Sequence, residues 1–320
     1  MDDLVEQLRE TGRRNGRKIT YFGGTWRKLR HKVPQFETRD FRVSPDGPAN
    51  PFMQTVTRLA ANTGERAIPI AAVSNSYTLA QHHVVAENCL AGVQNQGIET
   101  KNLRCELGIT DLGEWMNFRI YFPREYNYVP RDGKSIGLRL ECFNSVDASC
   151  RLVVLLGWFR FVCSNGMIIG RTMAELRDVH GKYMNLDNMS DVVSKGLDRV
   201  EGDISRLVIW EAALFDLSAL KLWANEKVSS TWGKKAACRV YHICRSGYDV
   251  EITNPFARGD ATEKPVRQMQ EVSGAMKPAR NLYDASQALS WVATNRQNPE
   301  QRIGWQSDIP KLIGQLRAYT

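Results

Sequence analysis

The stretch between residues 102 and 163 constrains the fold most, because it has the pattern of four consecutive β-strands with no helix between them. We predict strands over 102–109, 115–122, 135–143 and 151–163. The two middle strands alternate apolar and polar side chains, whereas the last is apolar on both faces and is expected at the centre of a sheet. Strands that follow one another directly predict an antiparallel meander and not a parallel sheet.

Helical patterns lie on both sides of this meander. Before it, Val85, Cys89 and Val93 recur on one face of a helix predicted over 78–94. After it, helices are predicted over 187–228, 229–245, 284–296 and 309–316. In 187–228 a single apolar stripe consists of Leu207, Trp210, Leu214, Leu217, Leu220 and Ala224. Strands segregated from helices predict an α+β fold: an antiparallel β-meander packed on a helix, followed by a mainly helical C-terminal half.

The ends and connections complete the expected organisation. Residues 1–16 are predicted as a short helix, Lys18–Phe22 as a strand, and 247–281 as a loop. Residues 34–52 contain four prolines and a glycine, which is the composition of a linker. We therefore predict a basic arm with a Pro-rich linker at 1–52, an α+β core at 53–186 and a helical region at 187–320.

The positive charge of the chain is concentrated near its start. The chain has 43 Lys and Arg against 35 Asp and Glu, and a formal charge of +8. Residues 9–32 contain nine cations and a single acidic residue, an excess equal to that of the whole chain. Aromatic rings lie between these cations, as binding to single-stranded nucleic acid requires; a solvated arm and an anionic membrane surface are the alternatives. The candidate nucleic-acid-binding residues here are Arg13, Arg14, Arg17, Lys18, Tyr21, Trp26, Arg27, Lys28, Arg30 and Lys32.

Two further places extend this candidate interface. The connection between the second and third strands, residues 123–134, is predicted as a long hairpin loop with tyrosines and cations. Arg160 interrupts the apolar fourth strand, and a buried guanidinium must be paired, either with an internal carboxylate or with a phosphate. The candidates added are Arg124, Tyr126, Tyr128, Arg131, Lys134 and Arg160.

Enzyme signatures are missing from the sequence. It has no phosphate-binding P-loop, no glycine-rich dinucleotide fingerprint and no HExxH zinc motif. Asp178 and His180 form the best acid–base pair, but a hydrogen-bonded turn histidine is the simpler interpretation. The seven cysteines include no CxxC pair, which predicts reduced, partly buried thiols. We expect no catalytic residue, no metal, no cofactor and no enzymatic activity.

Membrane insertion is not expected. The longest apolar run, Leu152–Cys163, is well short of the ~20 residues that span a bilayer. The acidic and polar start of the chain predicts no signal peptide.

Four segments together resemble the phage and plasmid family of domain of unknown function 932 (DUF932), over about residues 60–300. Val73–His82 resembles the family's V-S-x-x-Y-x-x-x-x-H helix entry, and Asn144–Ser149 its Asn-Ser-x-Asp-x-Ser turn. Arg160–Gly166 is similar to its Arg-x-Val-Cys-x-Asn-Gly/Thr strand end. Asn281–Ser290 resembles a C-terminal N-x-x-D-x-x-N-A-x-T helix start, with departures at Gln287 and Ser290.

The resemblance implies a setting and no settled activity. The family's members typically occur in phages, plasmids and prophages. The resemblance therefore implies a role in DNA metabolism or against host defence, in the cytoplasm of a bacterial host. A helix packed on a meander with a basic hairpin also looks, in architecture alone, like single-strand annealing proteins of the Rad52/RecT kind. We predict a homo-oligomeric protein that binds single-stranded DNA in recombination, annealing or replication. The alternatives are a protein-binding inhibitor of a host defence complex and a metal-dependent nuclease.

Overall fold

The computed structural model describes most of the chain and groups it into two compact units. Unit 1 comprises Met1–Pro123, Arg139–Leu156 and Ala174–Asp198, and unit 2 comprises Arg124–Leu138, Gly157–Met173 and Arg199–Thr320. The residues described are 6–160, 167–178, 180–181, 184, 186, 188–252, 259–263, 266–272, 274–296 and 299–319.

The described residues form twelve strands and nine α-helices. The strands are β1 (Glu6–Arg14), β2 (Arg17–Gly24), β3 (Phe36–Asp40), β4 (Met53–Arg58), β5 (Ile68–Ser74), β6 (Arg104–Thr110), β7 (Trp115–Tyr121), β8 (Ile136–Ser145), β9 (Leu152–Arg160), β10 (Met167–Asp178), β11 (Tyr248–Ile252) and β12 (Val266–Glu271). The helices are α1 (Trp26–Leu29), α2 (His82–Gln94), α3 (Asn188–Leu197), α4 (Val200–Ala212), α5 (Leu217–Trp223), α6 (Ser229–Trp232), α7 (Lys234–Ser246), α8 (Leu282–Thr294) and α9 (Pro299–Arg317).

The largest sheet contains the predicted meander. Its seven strands lie in the order β1-β2-β6-β7-β8-β9-β10, so that β6 to β10 are neighbours in sequence order. The pairs from β1 to β8 are antiparallel. The predicted α+β class, with a meander and a mainly helical C-terminal half, is confirmed.

In unit 1 the apolar face of this sheet meets α1 and α2. Phe118 of β7 contacts the ring of Trp26 edge-on, with 5.1 Å between centroids, and Asn144 of β8 hydrogen-bonds His82 of α2. The α2 residues on the predicted face, including Val85, Cys89 and Val93, are fully buried. A second, three-stranded sheet in the order β3-β4-β5 completes the strands of this unit.

The prediction of a helix over residues 1–16 is wrong. Glu6–Arg14 is a strand that pairs with β2 around a turn at Asn15 and Gly16, both of which have positive φ, 49° and 79°. Asn-Gly favours this kind of two-residue hairpin turn, because both residues tolerate left-handed backbone. β2 pairs in turn with β6, so residues 17–24 belong to the main sheet. The predicted domain boundaries at 52/53 and 186/187 stay predictions.

Unit 2 contains α4 to α9, with α8 as its most buried helix. Eleven of its residues between Leu282 and Ala293 are buried, and Asp284 in this range is half-buried, as expected for a helix surrounded by others. The predicted loop 247–281 contains the antiparallel hairpin of β11 and β12, which is a correction.

The apolar stripe predicted in 187–228 is divided between two helices. α4 ends at Ala212, and Asp216 caps α5 by accepting a hydrogen bond from the Ala219 N–H at 2.7 Å. Leu214 in the connection is 68% exposed, and Leu217 is also exposed. The other members of the stripe, Leu207, Trp210, Leu220 and Ala224, are buried.

Candidate nucleic-acid interface

The hairpin formed by β1 and β2, residues 6–24, is called the basic hairpin below. Two of its cations bind residues in other parts of unit 1. Arg14 donates from Nη2 to the carbonyl oxygen of Ser149 at 2.7 Å, and Arg17 Nη1 forms a 2.6 Å ion pair with the buried Glu114. The charge and hydrogen bond of Glu114 raise the pKa of Arg17. Arg13 and Lys18 face each other across the hairpin and are exposed.

The segment after the basic hairpin carries the other early cations on α1 and the 3-10 turn Arg30–Lys32. Leu29 is completely buried and Trp26 contacts Phe118, so the segment is held on the apolar core. Lys28 is half-buried. The cations that remain exposed on this segment are Arg27, Arg30 and Lys32.

Tyr21 does not have the position predicted for it. Its side chain is 5% exposed, the guanidinium of Arg119 lies 5.1 Å from its ring centroid, and it faces Gly108 of β6 across the strand pair. A Cβ at Gly108 would collide with this ring. Tyr21 is therefore a core residue, and the predicted role in stacking on a base is corrected.

Of the hairpin loop predicted over 123–134, residues 124–134 belong to unit 2 and are called the basic loop below. Arg124 and Arg131 are exposed, whereas Tyr126 and Lys134 are half-buried. The Tyr128 hydroxyl donates to Glu211 Oε2 at 2.5 Å, and burial and this carboxylate raise the pKa of Tyr128. The hydroxyl of Tyr128 thus binds a protein carboxylate, and the predicted role of its ring in stacking stays a prediction.

Arg160 is the last residue of β9. Its side chain and residues 161–166 lie outside the described part of the chain. Both predicted partners for its guanidinium, a carboxylate or a phosphate, therefore stay predictions.

A network of buried charged side chains, called the charged network below, lies on the face of the main sheet opposite α2. Arg119 Nε is 3.0 Å from Glu141 Oε1, Arg139 Nη2 is 2.7 Å from Glu141 Oε2, and Arg119 Nη1 is 3.3 Å from Glu106 Oε2. The Tyr121 hydroxyl donates to Glu106 at 2.5 Å, and burial raises the pKa of Tyr121 to about 12. All five residues come from β6, β7 and β8, so the network joins three strands.

Sequence reasoning missed the charged network, although the signal was present. Arg119, Arg139 and Glu141 occupy the polar positions of the two strands whose alternation was recognised. Alternation predicts which residues share a face. Whether that face meets water depends on what covers it. The charged side chains of the network, Glu106, Arg119, Arg139 and Glu141, are at most 8% exposed.

Two segments that suggested the DUF932 resemblance meet in unit 1. His82 Nε2 is 2.9 Å from the carbonyl oxygen of Gly113, and the Asn144 amide donates to His82 Nδ1 at 2.9 Å and to the carbonyl of Ala80 at 2.8 Å. The Tyr77 hydroxyl donates to the carbonyl of Ser145. These contacts join the start of α2 to the end of β8, so the matched residues have a structural role.

His180 also belongs to this cluster. Its ring stacks on Tyr77, with 5.2 Å between centroids and 16° between planes, and it is 6% exposed. Its Nδ1 lies 3.3 Å from the carbonyl oxygen of Thr78. The side chain of Asp178 lies outside the described residues, so the predicted acid–base pair of Asp178 and His180 stays a prediction.

The buried His82 predicts an acid-sensitive fold. Burial lowers its pKa from 6.5 to about 4. Between these two pH values the histidine is protonated in the unfolded chain and neutral in the folded chain. Its contribution to stability is complete above pH 6.5 and is lost as pH falls towards 4. We expect the free energy of unfolding to decrease by about 2 kcal/mol between pH 7 and pH 5 because of this residue.

Urea denaturation of the wild type and His82→Gln at both pH values checks this expectation. The variant should lose about 2 kcal/mol of the pH dependence, since glutamine does not titrate. His31→Gln, at an exposed histidine, is the control and should keep the wild-type dependence. Equal pH dependence in the wild type and His82→Gln would contradict the prediction.

The described residues offer no other prominent chemistry. Six cysteines in the described part are buried and form no disulfide there, and Cys163 lies outside that part. The six are Cys89, Cys105, Cys142, Cys150, Cys238 and Cys244. No group of three His, Cys, Asp or Glu side chains in that part is arranged to hold a metal ion. None of the helices described there is long and apolar enough to cross a membrane.

Comparison with known proteins identifies the family. The model of the family described as "Domain of unknown function (DUF932)" matches residues 69–239, more than half of the chain. The chain belongs to the DUF932 family. The match contains the segments at 73–82, 144–149 and 160–166, whereas the resembling segment 281–290 and the basic hairpin lie outside it. No curated protein and no solved structure matches this DUF932 chain, so the architectural likeness to Rad52/RecT proteins stays a prediction.

Proposed function

We propose that this DUF932 protein binds single-stranded DNA through unit 1, as a homo-oligomer that acts in phage or plasmid recombination, annealing or replication. One observation carries the proposal. Five exposed cations, called the cation set below, form no ion pair with any residue in the described part of the chain, although Arg17 beside them does. The cation set consists of Arg13, Lys18, Arg27, Arg30 and Lys32.

The arrangement of the cation set supports binding to a long polyanion. Arg13 and Lys18 lie at the turn of the basic hairpin, and the other three follow the far end of β2. Six residues of β2 follow Lys18, so about 20 Å separates Lys18 from the far end of the strand at ~3.3 Å per residue. Cations fixed on paired strands and a packed helix keep this spacing without ordering a flexible arm, which lowers the entropic cost of binding.

Aromatic side chains beside the cations favour a single strand over a duplex. Trp26 is half-buried and directly precedes Arg27, and Phe22 is half-buried with Lys32 Nζ 5.4 Å from its ring centroid. Unpaired bases can stack on rings of this kind, whereas bases inside a duplex cannot.

Fluorescence anisotropy of a labelled oligothymidylate at several salt concentrations tests the proposal. If each member of the cation set neutralises one phosphate, these five contacts should contribute about −3.5 to the slope of log K against log salt, from ~0.7 per contact. A duplex of the same length should bind more weakly at equal salt. Affinity that does not change between about 50 mM and 200 mM salt would contradict the proposal.

A further inference from the structure

The basic loop has a defined conformation in unit 2. Tyr128 and Ile136 exchange two backbone hydrogen bonds, of 2.9 and 2.8 Å, which close the part of the loop that follows Tyr128. The Gly133 N–H donates to the carbonyl of Pro130 at 2.9 Å, which forms a turn at the tip. These hydrogen bonds fix the internal conformation of the loop. Its orientation in unit 2 depends on hydrogen bonds to residues outside the loop.

Glu211, in the last turn of α4, makes the contacts that set this orientation. Its two oxygens bind the basic loop separately: Oε2 accepts from the Tyr128 hydroxyl at 2.5 Å and Oε1 accepts from the Arg131 backbone N–H at 2.7 Å. Glu211 is 6% exposed, and no cation in the described part of the chain forms an ion pair with it. Since a buried carboxylate must be satisfied by donors, these two bonds hold both partners in place.

The two bonds leave the positive charge of the loop available. Glu211 binds the main chain of Arg131, while the guanidinium of Arg131 is directed to solvent, as is that of Arg124. The carboxylate therefore fixes the backbone position of Arg131 and forms no ion pair with the Arg131 guanidinium. An exposed guanidinium group suits phosphate oxygens, which can accept two parallel hydrogen bonds from its N–H groups.

We infer that Glu211 is a positioning residue that holds the basic loop as a second phosphate-binding surface of this protein, in unit 2. The ligand would be the phosphate backbone of a nucleic acid. This inference rests on the proposed function for the identity of the ligand, and the conformational part of it can be measured without any ligand.

Four variants test the inference. Glu211→Ala removes both bonds. Glu211→Gln keeps an oxygen that accepts from the Arg131 N–H, and its NH2 group can donate a hydrogen bond to the oxygen of the Tyr128 hydroxyl. Arg124→Ala combined with Arg131→Ala removes the charges and leaves Glu211 intact. Glu201→Ala, at an exposed glutamate of the same helix, is the matched control.

The readouts are the rate of tryptic cleavage within residues 124–134 and the anisotropy of a labelled oligothymidylate. We expect cleavage of Glu211→Ala to be about tenfold faster than that of the wild type, and its affinity to be about tenfold lower. Glu211→Gln and Glu201→Ala should behave like the wild type in both measurements. The double arginine variant should bind with a salt slope reduced by about 1.4, from ~0.7 per contact.

Each contrary result has its own meaning. Wild-type cleavage of Glu211→Ala overturns the positioning role. Faster cleavage with unchanged affinity, or an unchanged salt slope in the double arginine variant, overturns the second phosphate-binding surface and leaves the proposed function standing. A wild type that fails to bind oligothymidylate at low salt contradicts the proposed function, while the cleavage rates still report on Glu211. If Glu211→Ala does not fold, Tyr128→Phe replaces it, because it removes a single bond and should be cleaved faster than the wild type.

Discussion

Alanine at all five positions of the cation set is expected to weaken binding to single-stranded DNA by at least about a thousandfold at low salt. Each cation that neutralises a phosphate releases about 0.7 of a counterion from a single strand, so five contacts correspond to about 3.5 powers of the salt concentration. The loss should therefore be largest at ~50 mM salt and should shrink as salt is added. Anisotropy titrations of the wild type and the variant at several salt concentrations measure both quantities.

The control for this experiment has the same charge and a different location. Alanine at five other exposed cations lowers the net charge equally and is expected to weaken binding by less than about tenfold, through the general field of the protein alone. Equal losses in both variants would show that net charge matters and the position of the cation set does not. The control positions are Arg66, Lys101, Lys195, Arg245 and Lys311.

Deleting residues 1–32 would not test the role of the cation set. Removing residues 1–32 would delete β2, which pairs with β6, together with the buried Tyr21 and Leu29. Deleting a sheet strand and two core side chains unfolds many domains. Lost binding in such a truncation would not separate the loss of charge from the loss of the fold.

Patterns that are local in the sequence predicted local structure well. The meander and α2 follow from side-chain periodicity over seven to thirteen residues, and both are present. The Asn15–Gly16 turn is also a local signal, but Leu4, Val5 and Leu8 have a helical spacing, which is the basis of the helix predicted over residues 1–16. Pairing of β1 with β2 and of β2 with β6 outweighs that weak spacing, because each pairing satisfies backbone hydrogen bonds along a whole strand.

Contacts between distant residues could not be predicted from one sequence. Glu211 is 83 residues from Tyr128 and 80 from Arg131, and nothing in the spacing of these residues indicates that they meet. For the same reason, Tyr21 was predicted to face a nucleic acid although it packs against Arg119 of another strand. Residue type suggested the chemistry of these side chains, and the fold decided which of them reach solvent.

Glu141→Ala is expected to lower the free energy of unfolding by about 3–5 kcal/mol, the largest stability effect that we predict. Glu141 accepts hydrogen bonds from Arg119, Arg139 and Asn117, and it is 3% exposed. Its removal leaves two buried guanidinium groups with too little negative charge, and the charge cannot be lost by deprotonation because arginine stays protonated. Urea denaturation monitored by tryptophan fluorescence measures the change.

An exposed pair of the same chemistry shows whether burial is the cause. Glu37 pairs with Arg39 on β3, where both side chains are largely in water, and Glu37→Ala should cost less than about 1 kcal/mol. Glu141→Gln should lie between the two, because the amide oxygen still accepts a hydrogen bond but carries no charge. If Glu141→Ala costs no more than Glu37→Ala, the charged network does not hold β6, β7 and β8 together, and the apolar face with α2 alone accounts for the stability of this sheet.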